Sequence, residues 1–269
     1  MKGIIGAIAG DVIGSAYEFN PTRDYTFDLF TPKSTFTDDT VLTMANALWL
    51  LEDESHSPET LIKFMLDLCR RYTDRGYGGR FAHWIYDANP QPYFSFGNGS
   101  AMRVSPVGYY AKTLDEALAL AKISAEVTHN HPEGIKGAQA TAAAIFMARQ
   151  GENKWEIRDY IEKTFGYNLS RTLDEIRPTF RFDETCQRTV PEAIICFLDG
   201  KDYEDVVRLA VTLAGDADTL AAIAGSMVSA TKDVSTDVTQ RVISLLSDEF
   251  CTTLLRFNEL VAKREAEAL

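Results

Sequence analysis

Apolar residues recur along most of the chain at the three- and four-residue spacing that is typical of amphipathic helices. The clearest examples are DTVLTMANALWLLED (39–53), SPETLIKFMLDLCRRY (57–72), TLDEALALAKISAEVTH (113–129), PEGIKGAQATAAAIFMARQG (132–151), DYEDVVRLAVTLAG (202–215) and DTLAAIAGSMVSA (218–230). Several of them begin at Ser, Asp or Thr and some end at Gly, which are the residues that favour helix ends. The pattern predicts a chain that is helical almost throughout.

Other patterns are rare or short. An alternation of apolar and polar residues, which would indicate a half-buried strand, is best seen in TFRFDET around Phe180 and Phe182. Irregular stretches occupy residues 20–36, 87–99 and 165–190, and no linker rich in Gly, Pro or Ser separates two halves. We therefore predict an all-α fold: a compact orthogonal helical bundle that forms a single domain over residues 1–269, with a few Ala- and Gly-rich helices buried inside.

The charge balance limits the partners of this bundle. The 269 residues carry a formal net charge of -12 at pH 7, whereas binding to a nucleic acid requires a basic face. Nucleic acid is therefore disfavoured as the main partner, although backbone N–H groups and metal ions could still hold a nucleotide-sized anion. We expect the chain to act as a monomer.

Cysteine spacing and the first residues bear on location. Cys69, Cys186, Cys196 and Cys251 are far apart and show no metal-binding spacing, which favours reduced, buried thiols in a cytoplasmic protein. The opening MKGIIGAIAGDVIGSA resembles the apolar part of a signal peptide, but Asp11 interrupts it. We interpret this segment as a buried helix, and no run of about 18 uncharged apolar residues predicts a membrane span.

Acidic residues stand at the start of two predicted helices. Asp38 and Asp39 lie in FTDDT, Asp216 and Asp218 lie in GDADT, and each stretch leads into an apolar helix. A carboxylate at a helix start contributes about 0.3–1 kcal/mol through capping and the helix dipole, so capping alone could explain either cluster. Glu18, in GSAYE at the end of the apolar N-terminal helix, adds a fifth carboxylate.

Taken together, the acidic clusters favour a metal site if the three helix ends converge. Carboxylates within a few ångströms of one another cannot all stay ionised unless a cation is present. Oxygen ligands without His or Cys select a hard dication such as Mg²⁺, Mn²⁺ or Ca²⁺. Four aspartates suit two metal ions better than one.

Two further stretches are candidates for ligand contacts. In FGNGSAMRVSPVG (96–108), Gly97 and Gly99 would let the backbone approach a ligand, and N–H groups at a helix start can bind phosphate; a simple tight turn explains the pattern equally well. In THNHPEG (128–134), His129 and His131 lie two positions apart. A C-terminal cap of the preceding helix by one of these histidines fits the sequence as well as a ligand role.

Five stretches occur in an order that is characteristic of one family. They are GAIAGDVIGSAYE, FTDDT, GNGSAMRVSPVG, SAEVTHNHPEG and AGDADTLAAIAG, and they span about residues 3–230. In this order the sequence resembles the ADP-ribosylglycohydrolase family, which includes the dinitrogen-reductase-activating glycohydrolase and the ADP-ribosyl-acceptor hydrolases. The resemblance implies an all-α bundle with a binuclear Mg²⁺ or Mn²⁺ centre in a cleft.

The resemblance also implies roles for individual residues. The family's metal ligands correspond to Thr37, Asp38, Asp39, Asp216, Asp218 and Thr219. The Gly-rich turn that lies along the diphosphate of ADP-ribose in the family corresponds to Gly97, Asn98, Gly99, Ser100, Ala101 and Met102. Gly99 and Ser100 are the expected contacts. His129 matches a histidine near the distal part of the substrate, and Glu18 matches a glutamate that is a gate, a ligand or a proton carrier in different members. The expected catalytic residues are Glu18, Asp38, Asp39 and Asp218.

The implied reaction is hydrolysis of the glycosidic bond between C1″ of ADP-ribose and an acceptor, such as an arginine guanidinium or a serine hydroxyl. Its transition state should have oxocarbenium character. Bound metal ions would orient the ribose hydroxyls and lower the pKa of a water, while Glu18 or a metal-held carboxylate manages the proton. The expected partner is an ADP-ribosylated protein or a small ADP-ribose conjugate, with nucleic acid only as a modified acceptor.

One position departs from the family pattern. The family usually has Gly-Gly-Asp where this chain has Ala214-Gly215-Asp216, so the backbone conformation at Ala214 is open. Two other functions are also open. One is a two-metal phosphoesterase, which would more often use His ligands. The other is a non-catalytic ADP-ribose-binding relative, because the family resembles a lens crystallin. The complete set of acids favours an enzyme.

Overall fold

The computed structural model describes residues 1–267, and these residues form fifteen helices and no strand. The helices are α1 Ile5–Gly14, α2 Asp38–Glu52, α3 Pro58–Arg71, α4 Gly79–Tyr86, α5 Gly99–Met102, α6 Ser105–Tyr110, α7 Leu114–Glu126, α8 Pro132–Arg149, α9 Lys154–Phe165, α10 Leu173–Ile176, α11 Cys186–Asp199, α12 Tyr203–Val211, α13 Ala217–Val228, α14 Thr236–Ile243 and α15 Asp248–Ala266. The prediction of an all-α fold is confirmed. A single domain over the whole chain stays a prediction.

The weak strand pattern in TFRFDET forms no strand. Residues 180–184 are irregular, and the β-type pairing within the described part of the chain is a single bridge between Gly97 and Thr185. Phe180 is buried while Phe182 is 45% exposed, so the alternation of the sequence reflects a loop that places one ring inside. The stretch 165–190 also contains α10 and the start of α11, which the sequence did not separate from the surrounding loop.

Helix α1 lies at the centre of the fold and packs against α13 without intervening side chains. Every residue of both helices is buried. A Cβ atom at Gly10 would lie 2.1 Å from the carbonyl oxygen of Ala221, and one at Gly14 would lie 2.4 Å from the Cα of Asp218. These distances are far below van der Waals contact, so only glycine permits the approach. The N-terminal segment is therefore the buried Gly-rich helix that its sequence predicts.

The loop between α12 and α13 shows which backbone conformation Ala214 adopts at the position where the family usually has glycine. Ala214 has a φ of 58°, which is the left-handed conformation, whereas a Cβ at Gly215 would lie 2.3 Å from the ring of Phe180. A left-handed residue that carries a Cβ costs roughly 1–2 kcal/mol relative to glycine. The chain thus keeps the glycine that packing requires and tolerates a strained alanine beside it.

Two other sequence predictions concern a membrane span and the state of the cysteine thiols. In residues 1–267 no helix combines the length and the apolar character that a membrane crossing needs. The four cysteines are free; burial raises the pKa of Cys69 and of Cys186 to about 12, so their thiols stay protonated near neutral pH. The cytoplasmic location and the monomeric state stay predictions.

Candidate active site

A cleft of about 250 Å³ opens where the N-terminal ends of α2 and α13 meet the α5 turn. One side, which we call the acid wall, is formed by Glu18, Asp38, Asp39, Asp216 and Asp218. The other lining residues include glycines, aromatic rings, cations and one further acid, Glu184; among them are Gly76, Gly78, Gly97, Gly99, Arg80, Tyr93, Arg103 and His129. The cleft therefore combines an acidic wall with two guanidinium groups.

The acid wall brings the two predicted clusters together. The hydroxyl of Thr219, at the start of α13, donates to Oδ2 of Asp39, at the start of α2, over 3.2 Å. Carboxylate oxygens of Glu18, Asp216 and Asp218 all lie within 4.8 Å of one another. The convergence that the metal hypothesis requires is present. Thr37 does not line the cleft, because its hydroxyl donates to Asp11 over 2.8 Å and accepts from the N–H of Asp39.

Asp11 is the residue whose role the sequence did not reveal. It is fully buried in α1, where its carboxylate accepts the N–H groups of Thr37 (3.0 Å) and Thr40 (3.1 Å) and the hydroxyls of both threonines. These four bonds, which we call the Asp11 clamp, bracket Asp38 and Asp39 on both sides. A single acid inside an otherwise apolar helix was the available signal, because a buried carboxylate needs partners.

Burial and mutual repulsion keep protons on the acid wall when no cation is present. Burial, followed by repulsion from Asp218, raises the pKa of Asp38 and of Asp39 well above the usual range for an aspartate. The same two effects, again led by burial, raise the pKa of Glu18 to about 8. Burial also raises the pKa of Asp216 to about 6, although hydrogen bonds oppose it.

The donor set fits a hard dication. All the acid-wall ligands are oxygen atoms, and Oδ1 of Asp39 is buried without a hydrogen-bond partner. A buried carboxylate oxygen that lacks a donor is costly unless a cation lies beside it. Divalent ions would remove both the unpaired oxygen and the repulsion among the carboxylates.

The Gly-rich turn contributes only some of its predicted contacts. Gly97, Asn98, Gly99 and Met102 line the cleft. The amide of Asn98 donates to Asp216 over 2.7 Å, so it links the turn to the acid wall. The hydroxyl of Ser100 donates to the carbonyl of Gly134 over 2.7 Å and is unavailable to a ligand; the side chains of Ser100 and Ala101 are buried away from the cleft.

The two histidines have different positions. His129 is buried and lines the cleft, and its ring lies beside the Gly-rich turn, with the Tyr93 ring centroid 6.0 Å away. His131 precedes α8, where its Nδ1 accepts the N–H of Glu133 over 3.0 Å. His131 is thus a helix cap, and it caps the start of α8 rather than the end of α7. The sequence did not single out Tyr93, Arg80 or the stretch GYGG at residues 76–79, although its glycines were a visible signal.

Comparison with known proteins agrees with this site. The family model described as ADP-ribosylglycohydrolase matches residues 1–268, and the chain belongs to that family. It is accordingly an enzyme, a hydrolase that acts on glycosidic bonds.

Curated relatives and a solved structure match over most of their length. ADP-ribosylhydrolase ARH3 of Homo sapiens is 25% identical over an alignment of 304 positions, gaps included, which covers 84% of this chain and 83% of that protein. ADP-ribosylarginine hydrolase Tri1 of Pseudomonas putida (strain GB-1) is 25% identical, with coverages of 86% and 70%. A structure described as an ADP-ribosylglycohydrolase-related protein complex has a TM-score of 0.74 at 22% identity, with 96% of both chains covered, and shows the same fold.

Replacing Asp11 with asparagine should loosen the start of α2. An amide offers one acceptor oxygen to four donors and turns its own N–H groups toward other donors. We expect the free energy of unfolding to fall by about 1.5–3 kcal/mol, the range for hydrogen bonds to charged groups. Mn²⁺ binding should weaken as well. Urea unfolding and titration calorimetry measure the two effects, with Asp174→Asn, 94% exposed, as the control. Unchanged Mn²⁺ affinity in Asp11→Asn would mean that FTDDT keeps its position without the clamp.

Stability should depend on divalent cations and on pH together. The pKa of Glu18, about 8 in the metal-free fold against a usual 4.5, is raised by folding. Such a group contributes stability fully below its unfolded pKa and loses that contribution as pH rises through its folded pKa. The metal-free protein should therefore become less stable from about pH 5 to pH 8, and Mg²⁺ or Mn²⁺ should raise Tm more at pH 8.

Thermal melts with chelator or with excess Mg²⁺ at the two pH values test this dependence. A ligand at a hundredfold excess over its Kd adds about 2.7 kcal/mol. K⁺ at matched ionic strength is the control. If neither chelation nor pH changes Tm in this way, the two acidic clusters are helix caps only.

Proposed function

We propose that the protein hydrolyses the C1″ glycosidic bond between ADP-ribose and an acceptor, with two Mg²⁺ or Mn²⁺ ions bound at the acid wall. The observation that carries this proposal is the meeting of Asp38 and Asp39, at the start of α2, with Asp216 and Asp218, at the start of α13. Family membership supports the reaction class. The names of the relatives, ADP-ribosylhydrolase and ADP-ribosylarginine hydrolase, support ADP-ribose as the substrate group.

The proposed metal ligands are the four aspartates of the acid wall and the hydroxyl of Thr219, and the hydroxyl of Thr37 joins them if its oxygen turns into the cleft, which it does not line in the metal-free fold. Thr37 gives its proton to Asp11 and accepts one N–H, which leaves one lone pair of its oxygen for an ion. When bound, the ions would supply a water of lowered pKa and would offset the negative charge of the wall. A phosphoesterase is less well supported, because the histidine that lines the cleft, His129, lies beside the Gly-rich turn rather than among the acids.

The charged residues of the cleft favour one direction for the substrate. The Arg80 guanidinium lies over the ring of Tyr93. Arg103 donates to Thr128, whose hydroxyl oxygen lies 2.7 Å from Nδ1 of His129, so both cations are near these two rings. An ADP-ribose group would therefore place its C1″ ribose at the acids and its diphosphate along the turn from Gly97 to Met102. Attraction between the diphosphate and the two guanidinium groups favours this direction over the reverse.

Glu18 is the proposed proton carrier. Burial, the main cause of its raised pKa, favours the protonated acid, and the side chain is only partly buried, so it can exchange with solvent. As the C1″ bond breaks, the acceptor atom would take the proton of Glu18, and the water that adds to C1″ would return a proton to the Glu18 carboxylate. A carboxylic acid with a pKa near the working pH suits this transfer.

The rim beside Glu18 favours an arginine acceptor over a serine acceptor. Phe19 is 82% exposed and stacks on Phe182, with ring centroids 6.4 Å apart. We call these two rings the aromatic rim; Phe19 follows the cleft-lining Glu18 in the chain, and Phe182 lies two residues before the cleft-lining Glu184. A planar guanidinium gains from aromatic faces and from a nearby carboxylate, whereas a serine hydroxyl gains little from either. We therefore propose an ADP-ribosylated arginine side chain, in a protein or a small conjugate, as the substrate.

Asp38→Asn and Glu18→Gln should fail in different ways. The first removes a ligand charge, so Mn²⁺ affinity and turnover should fall together. The second keeps the shape of the side chain and should retain most Mn²⁺ affinity, while the single-turnover rate falls by about 10²–10⁴-fold, the usual effect of losing a general acid. Titration calorimetry and release of free ADP-ribose measure the two properties.

The exposed Asp174→Asn serves again as the control, with both properties unchanged. An active Asp38→Asn enzyme with normal Mn²⁺ affinity would contradict the proposed metal site. Loss of Mn²⁺ from Glu18→Gln would make Glu18 a metal ligand rather than a proton carrier.

A panel of ADP-ribosylated arginine and serine peptides tests the acceptor. We expect a higher kcat/KM for the arginine conjugate, and a smaller arginine preference after Phe19→Leu, which keeps an apolar side chain but removes the aromatic face. Trp155→Leu, at a ring on α9 that is 69% exposed, should leave the preference unchanged. Equal rates on both peptides, or an unaltered preference in Phe19→Leu, would reject the aromatic rim as the acceptor site.

A further inference from the structure

Arg103 is a fully buried cation without a counter-charge. Within residues 1–267 no carboxylate forms an ion pair with it, and its Nε and Nη1 atoms have no hydrogen-bond partner. Its Nη2 atom alone is engaged, donating to the carbonyl of Ser124 over 2.7 Å and to the hydroxyl of Thr128 over 2.8 Å. A buried guanidinium is costly to keep in this state, so its location in the wall of the cleft calls for a function.

The hydroxyl of Thr128 links Arg103 to His129. The Thr128 hydroxyl is completely buried, and its oxygen lies 2.7 Å from Nδ1 of the His129 ring. Because that oxygen already accepts from Arg103, and Nδ1 is its other neighbour, the hydroxyl proton has one acceptor within reach. If Nδ1 carried a proton instead, two donors would point at the oxygen and the hydroxyl proton would be buried without a partner.

The other ring nitrogen of His129 then carries the proton. A Cβ atom added at Gly99 would lie 3.1 Å from Nε2 of His129, and one at Gly97 would lie 3.4 Å from it. Nε2 therefore faces the Gly-rich turn that lines the cleft. Burial, together with the charges of Arg103 and Arg80, holds the pKa of His129 well below the usual range, so the ring stays neutral.

We propose that Arg103 and Thr128 are positioning residues: they fix His129 as the neutral tautomer whose Nε2–H is presented beside Gly99 as a hydrogen-bond donor to the anionic part of the substrate. A fixed donor costs no reorganisation when the ligand arrives. The tautomer follows from the hydrogen bonds that join Arg103, Thr128 and His129, which we call the relay. The gain in ligand affinity rests on the proposed function.

The tautomer can be read directly from the imidazole nitrogens. The chain contains four histidines, so long-range ¹H–¹⁵N spectra of histidine-labelled protein give few signals, and His129→Gln identifies the one that matters. We expect the wild type and Thr128→Ser to show a protonated Nε2 and a bare Nδ1. Thr128→Val keeps the shape of the side chain but removes the hydroxyl, and its signal should shift toward a mixture of tautomers.

Thr141→Val is the matched control. Thr141 is also fully buried, but its hydroxyl has no partner, so the same substitution should leave the His129 signal and ligand binding unchanged. Melting curves establish that each variant is folded. A Thr128→Val spectrum identical to the wild type would overturn the relay.

Calorimetry with free ADP-ribose tests the donor. We expect Thr128→Val to bind about tenfold more weakly than the wild type, the effect of one lost hydrogen bond, and Thr128→Ser to bind within about twofold. A shifted spectrum with unchanged affinity would overturn the donor role. If the wild type itself fails to bind ADP-ribose, the proposed function fails, while the spectrum of Thr128→Val still decides whether the relay exists.

Discussion

The site depends on one buried carboxylate, Asp11, and on the helix that carries it. Its four hydrogen bonds fix Thr37 and Thr40, and thereby the direction of Asp38 and Asp39. The same helix, α1, contacts the backbone of α13, whose first turn carries Asp218. Both acidic clusters are therefore placed relative to one central helix, and their separation is a property of that helix rather than of the loops.

Charge is arranged in the cleft at a cost to the folded state. Several buried carboxyl groups repel one another, and the cleft is also lined by a buried guanidinium, Arg103, that has no counter-charge. Each would destabilise the free protein. Cations that bind the carboxylates would offset their repulsion, while Arg103 would act on the substrate through Thr128 and His129. Such groups are costly to the fold alone, which is usual for functional sites.

The sequence predicted the fold class well because helical periodicity is local: α2, α3, α7, α8, α12 and α13 each carry their own pattern, and all but α13 have a side-chain cap at the N-terminus. It predicted the acids and the order of the motifs, but their convergence depends on contacts between distant segments. In the sequence, Asp11 is only an interruption of an apolar run, because the partners that explain it lie 26 and 29 positions away. Nothing in its own motif marks Arg103, since burial without a counter-charge is visible only in three dimensions.

The glycine face of α1 has a consequence for how this enzyme can diverge. With no side chains between α1 and α13, repacking cannot shift the two acidic clusters by small steps; any larger residue at Gly10 or Gly14 meets backbone. Substitutions that alter specificity are therefore expected at positions outside the contact between α1 and α13. Phe19 and Phe182 are 82% and 45% exposed and are open to replacement; on the proposed acceptor site, new acceptor preferences would arise at the rim while the centre is preserved. A laboratory library aimed at altered specificity would be concentrated there for the same reason.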